Sequence, residues 1–351
     1  MSSRYWPEPS TLPDAHRTAV VLVGLGTPVA PDAASVRRYL AEFLNDPRIV
    51  EWPRWLWKPI LHGIVLRTRP ARSAQKYAQV WTPEGSPLAV HTARQSTLLA
   101  GHFIWQGKAH IECFHAMRYG QPALAATLQK IKMRGFARLL IVPMFPQYSA
   151  TTTASIMDEV ARCMRHWRNL PELRFIRSFA TDEGYLDALE ANIRKHWQRN
   201  GGPAKQILFS FHGIPEACVK AGDPYPQECR ATAEALARRL GIATKRWQLT
   251  FQSRFGRAQW LTPYTQPTLV AMAKEGDKSV DVVCPGFLAD CLETLEEIAI
   301  TAKAAFLDAG GETFNFIPCL NERDDWMAAL ARLTLAHLGD WVNAAERPVR
   351  D

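Results

Sequence analysis

"LFSFHGIPE" (residues 208–216) decides how this chain folds. Its first four residues are three apolar side chains and a serine, a run that reads as a strand covered on both faces. His212 then arrives where Gly213 and Pro215 must stop the strand. An earlier stretch, "VLVGLGTP" (residues 21–28), has the same outline, with Leu25 in the place of His212. Two further pairs keep the same order. "FHAMRYG" (114–120) and "FQSRFG" (251–256) both end in Arg–aromatic–Gly, and "LLIVPMF" (139–145) and "DVVCPGF" (281–287) share a Pro and a Phe. Three ordered matches point to a duplicated unit.

Along the chain, eight β-rich runs alternate with amphipathic stretches. The expected strands are 19–26, 110–117, 138–145, 173–179, 207–212, 246–253, 280–287 and 313–319. Continuous apolar strands alternating with helices predict parallel sheets with helices on both faces. The fold class is therefore α/β: two Rossmann-like domains, each a four-stranded parallel sheet flanked by helices. The expected boundaries are 18–180 and 181–345, with the C-terminal helix packing back on the first domain. The first half carries roughly fifty extra residues, placed at about 41–90. This insertion holds Trp52, Trp55, Trp57 and Trp81 beside Arg67, Arg69, Arg72 and Lys76. Such a mixture suits a flat apolar ligand with acidic arms, or a membrane surface. An extra helical hairpin that buries its Trp residues would look the same.

Composition narrows the functional classes. Of 351 residues, 47% are hydrophobic and 22% charged, an ordinary globular balance. The net charge of +8 fits nucleic acid, an anionic membrane or an acidic small molecule, or solubility alone. No nucleic-acid motif accompanies it. No apolar run approaches the roughly 18 residues of a membrane span. The opening "MSSRYWPEPSTLPDAHR" lacks the apolar core of a signal peptide and reads as a loose arm. The seven cysteines include no C-x-x-C pair, which favours free thiols in a reducing cytoplasm. "GLGTPV" (24–29) lacks the third Gly of a dinucleotide fingerprint, and no phosphate-binding G-x-x-x-x-G-K-[ST] occurs.

Ligands of open parallel sheets sit beyond the carboxyl ends of the strands. His212, Gln252 and Phe287 are expected at such ends, in one half, around one mouth. Neutral imidazole there is a base near neutral pH and a metal ligand. A histidine merely hydrogen-bonded near a turn is the plainer alternative. In "DCLETLEE", Asp290 followed three residues later by Glu293 reads as a helix cap. Glu293 and Glu297, four apart, also share a helix face; two carboxylates in a cleft raise each other's pKa and can hold a divalent cation. Ser210 and His212 point to opposite faces of a strand, so they form no catalytic dyad.

Several motifs together resemble ferrochelatase, which inserts ferrous iron into a porphyrin to complete haem. They are "GLGTP", "AMRYG", "PMFPQYSATTTAS", "SFHGIPE", "GDPYPQEC", "TFQSRFGRAQWLTP" and "PGFLADCLETLEE", and the likeness runs from about Val20 to about Leu338. The resemblance implies a porphyrin cleft between the two domains, with the insertion as its lips. It implies that His212 and Glu293 are catalytic and contact the metal, and that Asp290 and Glu297 belong to a proton or metal path. It implies porphyrin contacts from Arg69, Tyr77, Arg118, Phe145, Gln252, Trp260 and Phe287. Cys291 stands where some members have His, and Phe145 where many have Tyr. Some members carry an iron–sulfur cluster, most of whose thiolates come from a C-terminal tail. Here Ala150 replaces one cluster Cys and no Cys follows Cys319, so no cluster and no permanently bound cofactor is expected. The expected substrates are ferrous iron and, from the likeness to Gram-negative members, protoporphyrin IX. The expected site is the cytoplasm, with peripheral contact to the inner membrane face through the 52–70 lip. Competing classes are a tetrapyrrole carrier, which needs no Glu293–Glu297 pair, and a cobalt- or nickel-inserting relative, which lacks the aromatic lip.

Overall fold

The computed structural model describes residues 5–346 apart from 11 and 257. The first half contains β1 (Asp14–Thr27), α1 (Ala33–Phe43), α2 (Arg54–Ile60), α3 (Leu66–Val80), α4 (Pro87–Trp105), β2 (Ile111–Gly120), α5 (Leu124–Met133), β3 (Phe136–Pro143), α6 (Ser155–Met164) and β4 (Glu172–Phe175). The second contains α7 (Glu183–Arg199), β5 (Gln206–His212), α8 (Glu216–Lys220), α9 (Tyr225–Leu240), β6 (Trp247–Gln252), α10 (Thr265–Lys274), β7 (Ser279–Val283), α11 (Lys303–Asp308), β8 (Thr313–Ile317) and α12 (Asp324–Leu338). The strand orders are β2-β1-β3-β4 and β6-β5-β7-β8, all parallel. The duplicated α/β architecture is thus present, one order used twice.

Alternating side chains on each strand assign two faces. Val20 and Leu22 of β1 join Ile207, Phe209 and Phe211 of β5 in a single central cluster. Leu99 and Phe103 of α4 and Trp326 and Leu330 of α12 complete it, so both sheets share one core. Val21 and Val23 pack outward with α5 and α6, and Leu208 packs outward with α10 and α11.

The strand register corrects the detail of the repeat. With Val21 matched to Leu208, Val21 pairs with Ile141 and Phe114, while Leu208 pairs with Val282 and Gln248. The Pro–Phe match is therefore one residue out of step, and the Arg–aromatic–Gly match two. The reason is local. β2 continues in the sheet to Gly120, so Arg118 lies within the strand. β6 ends at Gln252, and Ser253 turns with φ +68°, a left-handed conformation. Arg254 and Phe255 consequently leave the sheet. The expected strands 173–179 and 280–287 are likewise shorter, ending at Phe175 and Val283. In β1, Gly26 at φ +123° allows close approach of β2: a Cβ there would collide with the Tyr119 carbonyl.

Two expectations about accessory segments change. The N-terminal arm is tethered where it is described: Trp6 stacks on His166 at 5.0 Å and Glu8 pairs with the buried Lys132 at 2.5 Å. Residues 1–4 and 11, and the last five residues of the tail "NAAERPVRD", lie outside the described residues. In the insertion, α2 continues through a wide π turn (Leu61–Val65) into α3. The Trp residues divide. Trp57 donates to the Leu44 carbonyl (2.7 Å) and Trp81 meets Tyr77 edge-on. Trp52 and Trp55 remain 58% and 75% exposed, so a hairpin that hides its Trp residues accounts for only half of them. Among the described residues, no helix is long and apolar enough to cross a membrane.

Candidate active site

β5 places His212 at its last position, half-buried, opposite Gln252 of β6. The ring Nδ1 lies 2.6 Å from the Gly213 carbonyl. A carbonyl only accepts, so Nδ1 carries the proton, and the lone pair of the neutral ring is on Nε2. Gly213 is tightly held. A Cβ there would lie 3.1 Å from the Gln252 carbonyl and 3.2 Å from the Trp260 ring. Trp260 approaches because Pro215 and Trp260 form a β-bridge and Leu261 N donates to the Ile214 carbonyl. The Trp260 and His212 rings are 6.2 Å apart, and Phe255 packs against Trp260 at 4.7 Å.

The acidic side is built on a π-helix, Glu293–Ala302. This wider helix is rare and costs hydrogen-bond quality, so it marks functional sites more often than ordinary ones. Gln252 Nε2 donates to the Glu293 carbonyl at 2.8 Å. Glu297 receives the Ser253 N–H (2.7 Å) and the Ser253 hydroxyl (2.5 Å). Burial raises the Glu297 pKa above its ordinary value, and the charge of Glu293 pushes the same way. The Ser253 hydrogen bonds and His212 oppose the shift. Glu296, almost fully buried, accepts from Lys76 of α3 at 2.8 Å, which fastens the lip to the π-helix.

Two chambers meet at these groups. The first, about 1190 Å³ counted out to open solvent, is walled by Phe145, Phe255, Trp260, Phe287, Leu88 and Met144, among others. Among the described residues, neither Lys nor Arg lines it. The second, about 1310 Å³ on the same basis, is charged: Arg69, Arg72, Lys76 and Arg254 face Glu293, Glu296 and Glu297. His212, Glu293, Leu25, Phe43 and Phe255 line both. Leu25 and His212, matched in the repeat, thus occupy corresponding walls of one space.

The floor of the apolar chamber explains the two most distinctive motifs. Asp223 of "GDPYPQEC" accepts from Ser149 Oγ (2.9 Å) and Ala150 N (2.8 Å) of "PQYSATTT". Gln147 Nε2 donates to Thr232 (2.9 Å), and Tyr148 N donates to Glu228 (2.7 Å). Each motif is the other's partner across the halves, and Gln147, Ser149 and Tyr225 line the chamber.

The structure brings His212, Glu293, Phe145, Trp260 and Phe287 together around the apolar chamber, with Glu297, Arg69 and Tyr77 in the charged one. Tyr77 is buried and lines only the charged chamber, so it is a wall of that chamber rather than a ring in the aromatic one. Three of the expected residues lie outside both chambers. Arg118 lines neither chamber; its guanidinium holds Asp46 (2.5 Å) and Ser155 (2.8 Å) and ties the base of the lip to β2 and α6. Gln252 is buried behind the wall, bonded to Ser210 and to the Glu293 backbone. Asp290 also lies behind it, accepting from Asn321 Nδ2 (2.7 Å), Thr294 Oγ1 (3.1 Å) and Cys319 N (3.2 Å). That sets aside its reading as a helix cap. It joins the loops after β7 and β8, and the helix begins without a side-chain cap. Sequence reasoning missed Leu88, Thr92 and Gln95, which line the apolar chamber from one face of α4. Their signal was a Thr and a Gln inside an apolar helical stripe.

Comparison with solved structures defines the class of fold. SirB from Bacillus subtilis matches with a TM-score of 0.50 at 13% identity, over 94% of this chain and 98% of that one. A Deinococcus radiodurans protein described as structurally similar to chelatases reaches 0.53 at 13% identity, over 92% of this chain and 55% of that one. At such identities the likeness is one of fold. Sequence narrows it: a ferrochelatase family profile matches residues 17–338. The ferrochelatase of an Azoarcus species is 56% identical over 97% of this chain and 94% of its own. That of Aromatoleum aromaticum is 54% identical at the same coverages, and that of Nitrosomonas europaea 47% identical over 98% and 96%. The chain belongs to the ferrochelatase family. It is a lyase of haem synthesis that inserts a metal ion into a porphyrin.

Proposed function

We propose that the reaction is insertion of ferrous iron into protoporphyrin IX, giving protohaem and two protons. The observation that carries this reading is the division of charge between the chambers. The macrocycle fits the apolar chamber, against Trp260, Phe255, Phe145 and Phe287, where among the described residues no cation awaits a carboxylate. Arg69 and Arg72 stand only on the far side of His212 and Glu293. A porphyrin whose two carboxylates share one edge satisfies both surfaces, with guanidinium at the acidic arms. A porphyrin with four carboxylates would leave two of them in an apolar wall, at the cost of burying unpaired charge.

His212 Nε2 receives pyrrole N–H protons, directly or in relay, as a base suited to neutral pH. Glu297 and Glu293 form the acidic side from which the divalent ion reaches the ring, with imidazole and carboxylate ligands suited to iron. Two N–H bonds break, two protons leave, and one dication is bound, so charge balances. No resident metal or iron–sulfur cluster takes part; this rests on the scattered, buried and half-buried cysteines. The test is anaerobic incubation of the purified protein with ferrous iron and either protoporphyrin or coproporphyrin, followed by the ring's absorption. We expect metallation with kcat/KM at least about tenfold higher for protoporphyrin, one misplaced carboxylate being worth that or more. The protein alone should lack a stoichiometric iron–sulfur absorbance. Equal or reversed preference would defeat the substrate assignment.

The protein works in the cytoplasm, touching the inner membrane face through the 52–70 lip and binding no nucleic acid. Exposed Trp52, Trp55 and Ile64 beside Arg54, Lys58 and Arg67 support this. In flotation with anionic vesicles the native chain should rise. The double variant Trp52→Ser, Trp55→Ser should partition at least about tenfold less, given roughly 1.5–3 kcal/mol per large apolar side chain buried. A native chain that stays in the dense fraction would rule membrane docking out.

A further inference from the structure

The end of β6 makes contacts that neither grip the ring nor hold the core. His212 and Gln252 are direct neighbours in the parallel pair β5–β6. Gln252 is buried, and its side-chain oxygen accepts from Ser210 Oγ (2.7 Å), itself bonded to Thr265 (2.7 Å). Its nitrogen reaches 2.8 Å across to the Glu293 carbonyl. The next residue, Ser253, takes a left-handed φ of +68° that Gly, Asn or Asp would adopt more cheaply. In that conformation its N–H and its hydroxyl converge on the two oxygens of Glu297, at 2.7 and 2.5 Å. One rung of sheet therefore fixes His212, the start of the π-helix and the second carboxylate.

We propose that Gln252–Ser253 is a positioning element for metal insertion. It sets the separation of His212 from Glu293 and Glu297, and Ser253 is its decisive member because it alone orients a working carboxylate. The unfavourable backbone of Ser253 is the physical mark of this role. Strain of this kind persists where surrounding structure over-determines it, and here it aims two donors at one carboxylate. Freed of those donors, Glu297 has other rotamers and the metal meets a carboxylate in many positions. The ring contacts of Trp260, Phe145 and Phe287 are untouched by the change.

This inference rests on the proposed iron insertion, and the experiment separates the two. The variant Ser253→Gly removes the hydroxyl while relaxing the backbone, so its melting temperature should equal or exceed that of the native protein. Its kcat/KM for ferrous iron should fall at least about tenfold, the kinetic equivalent of one charge-assisted hydrogen bond. The KM for porphyrin should stay within about twofold. Ser253→Gly added to Glu297→Gln should cost nothing further, because the group it positions is already gone. Native kinetics in Ser253→Gly, an effect on porphyrin KM instead, or losses that multiply in the double variant would each overturn the inference. A native protein that metallates no porphyrin would instead remove the reading beneath it.

Discussion

His212→Ala is expected to lower kcat for metal insertion by about 10²–10⁴-fold, the usual contribution of a positioned general base. The bond from Nδ1 to the Gly213 carbonyl fixes the tautomer and leaves Nε2 as the ring's acceptor. His212 borders both chambers, so it can meet a pyrrole proton on one side and the acidic face on the other. The strand end itself does not require it, since β1 reaches the same space with Leu25. Melting should therefore fall by no more than roughly 2–4 °C, about 1 kcal/mol for a domain of this size. Porphyrin binding, read by quenching of protein fluorescence, should persist through Trp260, Phe145 and Phe287. Near-native turnover at saturating iron, in a variant that still melts cooperatively, would show that the base lies elsewhere.

The fold was readable because its signals were redundant. Each sheet repeats the order 2-1-3-4, and each central strand carries the same apolar run ending in Gly. What misled was exact equivalence. Arg118 and Arg254 belong to similar tripeptides, yet one remains in a strand and the other follows a left-handed turn. Strand pairing is set by backbone hydrogen bonds and the burial of alternate residues, and a tripeptide constrains neither.

The site was readable where a residue type had no structural reason to be present. His212 at a strand end, Glu293 beside Glu297, and Trp260 near a Gly were such cases. It was less readable where polar residues satisfy the backbone. Asp290, Gln252 and Arg118 look like site residues in one dimension. In three they satisfy Asn321, Glu293 and Asp46 behind the walls. A buried polar side chain must find partners, and which partners it finds is a tertiary fact. The π-helix was invisible for a related reason. Glu293 and Glu297 fit an ordinary helix equally well by spacing, and residues 293–302 take the wider form where they pack against α3 and α10.

Glu293→Gln is expected to reduce metal insertion by about 10²-fold or more while leaving stability equal or higher, a pairing that a structural carboxylate would not give. The substitution keeps shape and keeps the carbonyl that Gln252 holds. It removes only the charge that both chambers share. That charge works against its neighbour: Glu297 has a raised pKa from burial first and from Glu293 among the smaller causes. A carboxyl whose folded pKa is raised stabilises the fold below its ordinary value, 4.5, and loses that contribution as pH climbs through the raised value. Above that range the charge on Glu297 is therefore a cost to folding, retained for function. Deleting one charge lowers the Glu297 pKa and removes repulsion of about 0.2–0.5 kcal/mol for helical neighbours four apart, more where water is excluded. Melting curves at pH 5 and pH 8 should show the variant gaining on the native protein toward the higher pH, while iron-dependent turnover is lost at both. A variant that melts well below the native protein would make Glu293 a structural residue. One that turns over normally would remove it from the metal's path.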